Sequence, residues 1–150
     1  MAAIFESALK NEIKNGNRNI YDLFGDDGYL KKMYAQKICG AYASEDDIFN
    51  YQKFDGECDL QAVYDAVLQF PMMSEKKVVT LTDYDFEKCS KTDFEKLCTI
   101  ISDVPDTCVF LLVFDVVEVV VKKNTKLAKL ITAAEKNNGV AAELNNRTLP

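Results

Sequence analysis

The sequence contains no histidine, and this absence narrows the chemistry open to it. Histidine is the commonest metal ligand and the usual general base, and it activates the nucleophile in Ser-His and Cys-His systems. The five cysteines are an odd number at irregular spacings, and no two of them form a CxxC pair. They predict neither a disulfide framework nor a zinc site. We therefore expect no catalytic residues and no metal site.

Excess positive charge and long apolar runs are missing too. Lys and Arg number 18 against 24 Asp and Glu, so the formal net charge is −6. A domain that grips phosphates by itself is normally basic, so we expect any contact with DNA to be indirect. The longest apolar stretch, 109–121, is interrupted by Asp115 and Glu118 and is shorter than the roughly 20 residues that span a bilayer. With no recognisable signal peptide, we expect a cytoplasmic protein with no membrane partner.

What is present is the composition of an ordinary globular domain. Hydrophobic residues make up 48% of the chain and charged residues 28%, which argues against disorder. A chain of 150 residues can bury one sizeable core. We therefore expect residues 1–150 to form a single domain, and we expect it to be one domain of a longer protein whose downstream domains are absent here.

Apolar residues alternate between helical spacing and short continuous runs. Helical spacing predicts helices near 4–13, 30–38, 60–68, 94–101 and 127–134, and the runs predict strands at 19–24, 48–54, 78–81, 109–114 and 140–144. The run 109–114 is apolar throughout, as in a central parallel strand covered on both faces. This alternation predicts an α/β fold with three αβα layers and a mostly parallel five-stranded sheet.

Polar residues and glycines mark the expected helix ends. Asp59 is placed to cap the third helix, and Thr92 with Glu95 three residues later forms a capping-box pattern for the fourth. Gly16 and Gly139 are placed to end the first and last helices. One segment, Val116 to Val121, is almost wholly β-branched where a polar loop is expected. It could lengthen the preceding strand, add a short strand or form an exposed patch.

The turn after the first strand, Gly25-Asp26-Asp27-Gly28, lies where parallel sheets usually bind ligands. A phosphate-binding loop needs GxxxxGK[ST], but these two glycines are three residues apart and no Gly-Lys-Ser/Thr follows them. The two carboxylates would also repel a polyphosphate. The pattern favours a plain turn whose Asp side chains complement the dipole of the next helix, with no bound cofactor. An ATP-binding protein stays an alternative.

A second alternative is a phosphoryl-accepting receiver domain. Its magnesium pocket would use acids that follow strands. These acids are Asp26, Asp27, Asp83, Asp85 and Asp115. A receiver domain also needs a Ser or Thr after a later strand and a Lys after the last one, where this chain has Phe114-Asp115 and Asn145-Asn146-Arg147. Solvated loop acids are the favoured interpretation, because exposed Asp is common in turns.

An apolar cluster follows the third helix, whose own apolar face is complete by Leu68. Phe70, Met72 and Met73 surround Pro71 and precede the basic step Lys76-Lys77. By pattern alone such side chains most often make core or cap contacts. The functional interpretation is a projecting hydrophobic plug, in which a large aromatic ring and adaptable methionines anchor a partner protein.

Several segments, in order along nearly the whole chain, resemble the delta subunit of the bacterial DNA polymerase III clamp loader. Ile20 to Leu30 is similar to its first strand and "GE-x-x-YL" turn, and Phe54-Asp55-Gly56-Glu57 to its "FDG" element. Residues 59–82 resemble its apolar cluster followed by S-x-[KR] and a strand. Residues 106–113 are similar to its fourth strand.

The resemblance implies an AAA+-like fold with a degenerate nucleotide site and no catalytic activity of its own. It implies a subunit that binds the ring-shaped sliding clamp (the beta subunit) and helps to open it for loading onto DNA during replication. Phe70, Met72 and Met73, with Leu68, correspond to the clamp-binding wedge of the family. Family members often carry Leu-Phe or Phe-Phe where this chain has Met72-Met73, so its anchor is softer. The resemblance also implies contacts with other clamp-loader subunits through a C-terminal domain absent here.

Overall fold

Five helices and five strands alternate strictly along residues 3–146, the part of the chain that the computed structural model describes. Residues 1–2 and 147–150 of the expected domain lie outside the described residues. The helices are α1 Glu6–Asn15, α2 Gly28–Gly40, α3 Leu60–Leu68, α4 Lys91–Asp103 and α5 Thr125–Lys136. The strands are β1 Ile20–Phe24, β2 Tyr51–Asp55, β3 Lys77–Thr82, β4 Cys108–Val113 and β5 Gly139–Glu143. Throughout the described range, every helix is too short to cross a lipid bilayer.

The five strands form one sheet in the order β2-β3-β4-β1-β5, and every pairing is parallel. The predicted run 109–114 coincides with the central strand β4 except that the strand begins at Cys108 and ends at Val113, and all six residues of β4 are buried. The outer strands are β5 and β2. Ile4 exchanges backbone hydrogen bonds of 2.8 Å with β5 and covers part of that strand.

The core has one apolar layer on each face of the sheet. One layer joins alternate residues of the strands to α3, α4 and α5, and the other joins the intervening residues to α1 and α2. This alternation follows from the strand geometry, which points successive side chains to opposite faces. The predicted three-layer α/β fold is confirmed.

Two predicted helix ends are wrong. Ser90, and not Thr92, caps α4, because its hydroxyl accepts a hydrogen bond of 3.1 Å from the Asp93 backbone N–H. Helix α5 ends at Lys136 without Gly139. Asn138 takes the left-handed conformation instead (φ 58°), and Gly139 begins β5, where an added Cβ would lie 2.7 Å from the Ile20 Cβ. Asparagine tolerates the left-handed region better than most residues, so the glycine serves close packing.

The valine-rich segment 116–121 forms neither a longer strand nor a new one. Val117 and Val119 pack against the core layer of α3 to α5, whereas Val116, Val120 and Val121 are exposed. The segment is therefore a loop that is anchored on one side and presents valines to solvent on the other.

Candidate partner-binding surface

The apolar residues around Pro71 project from the end of the sheet at which the strands begin, which we call the amino edge. They occupy the connection between the end of α3 and the start of β3. Phe70 is 82% exposed, Met72 54% and Leu68 44%, and Met73 is fully exposed. We call Leu68, Phe70, Met72 and Met73 the wedge. The structure brings all four predicted residues to one short stretch of surface, and none of them belongs to the buried core.

The backbone of the wedge is fixed by the buried side chain of Asn50. Its amide nitrogen donates to the Met72 carbonyl at 2.7 Å, and its amide oxygen accepts from the Met72 N–H, also at 2.7 Å. The Asp47 carboxylate in turn accepts from the same amide nitrogen at 2.9 Å and from the Asn50 backbone N–H at 3.0 Å. These bonds lower the pKa of Asp47, since they stabilise its charged form. The apolar side chains thus extend from a held backbone, which reduces the ordering cost of binding.

Met73 carries a strained backbone as well as a free side chain. Its φ is 56°, in the left-handed region that residues with a Cβ avoid. Such a conformation costs on the order of 1 kcal/mol. Strained residues of this kind persist where the surrounding structure determines them, and they concentrate at functional sites.

Sequence reasoning missed two apolar neighbours of the wedge. Ile48 and Phe49 were predicted to begin the second strand, but β2 starts at Tyr51 and both side chains are exposed. They lie in the turn that Asp47 holds, directly before Asn50. A β-branched residue followed by an aromatic one resembles a strand start, so the local pattern gave no sign of this exposure.

At the opposite end of the sheet, where the strands end and which we call the carboxyl edge, the polar groups bond to the protein itself. Asp27 caps α2 by accepting from the Leu30 N–H at 3.0 Å, as the turn interpretation predicted. Gly25 has a φ of 114°, and an added Cβ would lie 2.2 Å from the Leu144 carbonyl oxygen. The turn therefore packs directly on the chain that follows β5.

Lys31 occupies the space behind this turn and was missed from the sequence. Its side chain is buried, and its amine donates to the carbonyls of Gly25 at 2.8 Å, Phe114 at 2.6 Å and Asp115 at 3.3 Å. The ammonium thus ties the end of β1 to the end of β4. All three of its donors are directed at main-chain oxygens, so the geometry assigns Lys31 a structural role.

The acids considered for a magnesium pocket are each engaged separately. One oxygen of the Asp83 carboxylate accepts from the N–H groups of residues 115–117 at 2.8 to 3.0 Å. Asp26 accepts from the Asn146 N–H at 2.6 Å, Asp85 from the Glu87 N–H, and Asp115 faces the Lys32 amine at 3.8 Å. Within residues 3–146, no three His, Cys, Asp or Glu side chains are grouped so as to hold a metal ion.

One acid lies inside the sheet. Asp22 in β1 is 1% exposed, and neither of its carboxylate oxygens has a hydrogen-bond partner among the described residues. Burial raises the pKa of Asp22 well above its ordinary value, because a charged carboxylate is poorly solvated there. No pattern in the sequence separated this Asp from the apolar residues around it.

Fold and surface together define a three-layer α/β domain with an apolar projection at the amino ends of its strands. The family model for the delta subunit of DNA polymerase III matches residues 21–142. The chain therefore belongs to the DNA polymerase III delta-subunit family.

Solved structures agree on the fold. The Bacillus subtilis DNA clamp loader delta protein YqeN is 20% identical with a TM-score of 0.76, over 95% of this chain and 43% of that one. A gamma-subunit-related protein of DNA polymerase III from Thermotoga maritima is 13% identical with a TM-score of 0.59, over 95% of this chain and 46% of that one. The chain thus spans less than half the length of each. No curated protein matches it.

Proposed function

We propose that this domain is the clamp-binding part of a clamp-loader delta subunit, acts in DNA replication and catalyses nothing itself. One observation carries the proposal: in a chain of the delta family, the wedge at the predicted clamp-binding position is exposed and its backbone is held. Large apolar side chains on a rigid support are the usual anchors of a protein interface.

The partner we propose is the sliding clamp. A domain that only binds the clamp cannot open it, so the wedge must favour the opened ring over the closed one. ATP binding by partner subunits would control access to the wedge. Domains beyond this one would hold the other clamp-loader subunits, in keeping with the greater length of the matched chains. With a net charge of −6, the domain would meet DNA only through the complex.

The experiment that tests the proposal is surface plasmon resonance of the chain on immobilised cognate sliding clamp. The double variant Phe70→Ala, Met73→Ala removes two exposed anchors and leaves the core intact. If each anchor contributes about 1.5 kcal/mol, affinity should fall roughly a hundredfold. The melting temperature should stay within about 2 °C of wild type, because neither side chain is buried. Unchanged affinity in the folded double variant would reject the proposal.

The two alternatives receive no specific support from the geometry. The Lys31 amine is directed at main-chain carbonyls rather than outward, and the acids of the receiver hypothesis have separate partners. Isothermal titration with ATP, and then with magnesium and beryllofluoride, distinguishes the three functions. The proposed function predicts no binding heat in either titration, an ATP-binding protein predicts heat in the first, and a receiver domain in the second.

A further inference from the structure

A second exposed apolar segment lies beside the wedge. Ile48 is 72% exposed and Phe49 58%. Of the eleven large hydrophobic side chains that are exposed in residues 3–146, six belong to the wedge or to this pair. Soluble surfaces carry single exposed apolar residues routinely, but a concentration of them indicates an interaction site.

The pair and the wedge are joined by the same hydrogen bonds that hold the wedge. Asn50 follows Phe49 directly, and its side chain binds both the N–H and the carbonyl of Met72. Ile48 and Gln69, the residue that follows α3, also line one open groove between β2 and α3. The backbone of the two segments therefore forms one continuous support.

The Ile48–Phe49 turn, like the wedge, is held by hydrogen bonds. The Asp47 carboxylate accepts from the Phe49 N–H at 3.2 Å, and the Tyr51 N–H donates to the Asp47 carbonyl at 2.9 Å. This turn exposes both of its apolar side chains, although hydrogen bonds hold its backbone. Folding alone gives no reason to hold two large apolar side chains in water.

The wedge alone is also too small to form a stable interface. A stable interface buries roughly 800 Å² on each partner, whereas one large aromatic side chain buries about 150–250 Å². Four wedge side chains, three of them aliphatic, supply only part of this area. The pair beside them adds an aromatic ring and a β-branched side chain on the same support.

We propose that the clamp-docking surface of this domain consists of two chain segments, the wedge and the pair Ile48–Phe49, with Asn50 as the joint between them. This inference rests on the proposed function and extends it from one segment to two. The occupant is the sliding clamp, which covers both segments in the same complex.

The test compares three double variants in surface plasmon resonance on immobilised sliding clamp. Ile48→Ser, Phe49→Ser removes the pair, and Phe70→Ala, Met73→Ala removes the centre of the wedge. Val116→Ser, Val120→Ser is the matched control, since these side chains are 82% and 61% exposed at the other edge of the sheet. We expect losses of about tenfold for the pair and about a hundredfold for the wedge, and a change of less than about twofold for the control.

The outcomes separate the two proposals. If the pair variant binds like wild type while the wedge variant binds weakly, the two-segment surface is wrong and the proposed function stands. If wild type does not bind, if the wedge variant binds like wild type, or if the control loses as much as the others, both are wrong. A photo-crosslinking amino acid at position 49 gives a second measurement that does not depend on affinity. It should couple to the clamp, and the same group at position 116 should not.

Discussion

At the carboxyl edge of the sheet, the polar side chains that follow the strands bond to the protein itself, whereas at the amino edge large apolar side chains extend into solvent. Lys31, Asp27 and Asp83 fill the first edge with internal hydrogen bonds. The side chains of Phe70, Met73 and Phe49 are exposed at the amino edge. The carboxyl edge is where most parallel sheets bind small ligands. In this molecule the usual ligand edge supports the fold, and the edge that is usually plain presents the candidate interface.

The largest expected effect on stability is at the carboxyl edge. Lys31→Met keeps the length of the side chain but removes the donors to three main-chain carbonyls. Leaving these carbonyls unpaired, of which that of Phe114 is buried, should lower the free energy of unfolding by roughly 3 kcal/mol. Urea denaturation measures this loss. Clamp affinity of the folded variant should stay at the wild-type value, and a selective loss of affinity would break the division between the edges.

Lys32→Met is the matched control for Lys31. Lys32 is exposed and its amine lies 3.8 Å from the Asp115 carboxylate. Exposed ion pairs are worth little, so this variant should differ from wild type by less than about 0.5 kcal/mol. A loss equal to that of Lys31→Met would show that charge alone, and not the buried hydrogen bonds, sets the effect.

Asn50→Asp tests the joint at the amino edge. It replaces the donating amide nitrogen by an oxygen that faces the Met72 carbonyl and the Asp47 carboxylate. We expect a loss of about 2 kcal/mol in the free energy of unfolding, because acceptors then oppose one another in a buried place. Clamp affinity should also fall, since the wedge loses its support. Asn145→Asp, where an exposed amide faces Glu143, should change stability by less than about 0.5 kcal/mol.

Asp22→Asn should produce a pH-dependent gain in stability. Because burial raises the pKa of Asp22 above its ordinary value of 3.8, the folded state holds its proton more tightly than the unfolded state does. The wild type is therefore favoured at low pH and loses stability as pH rises above 3.8 toward the raised pKa. The uncharged variant avoids this loss, so its advantage over the wild type should be larger at pH 7 than at pH 4. Urea denaturation at pH 4 and 7 checks this, and a difference that does not grow with pH would contradict it.

Apart from the control variants, the smallest expected effect on stability is that of Met73→Gly. Glycine relieves the positive φ and removes a fully exposed side chain, but it also gives the unfolded chain more freedom. The free energy of unfolding should rise by less than about 1 kcal/mol or stay unchanged. Clamp affinity should fall nonetheless, which would show that Met73 is kept for binding. A variant that becomes clearly less stable would mean that the side chain supports the fold.

The sequence predicted the parts of this molecule that local patterns control. The all-apolar run 109–114 became the central strand β4, and Asp59 caps α3 by accepting from the Gln61 N–H. Ser90 and Thr92 are both good cap residues, so the local pattern does not show which of them caps α4.

Tertiary placement was beyond these rules. Lysine and aspartate are normally exposed, so no pattern indicates that Lys31 and Asp22 are buried. By pattern alone the cluster Phe70 to Met73 favours core or cap contacts, and only the placement of the neighbouring elements shows that it is exposed. Ile48 and Phe49 were mistaken for a strand because their residue types favour one.

The most direct test of the account is hydrogen–deuterium exchange of the chain with and without a saturating amount of the sliding clamp. Amides of residues 47–50 and 69–76 should exchange more slowly in the complex, while those of residues 25–31 and 114–121 should exchange at unchanged rates. Slower exchange at the carboxyl edge, with none at the amino edge, would place the partner on the other side of the molecule and contradict the account.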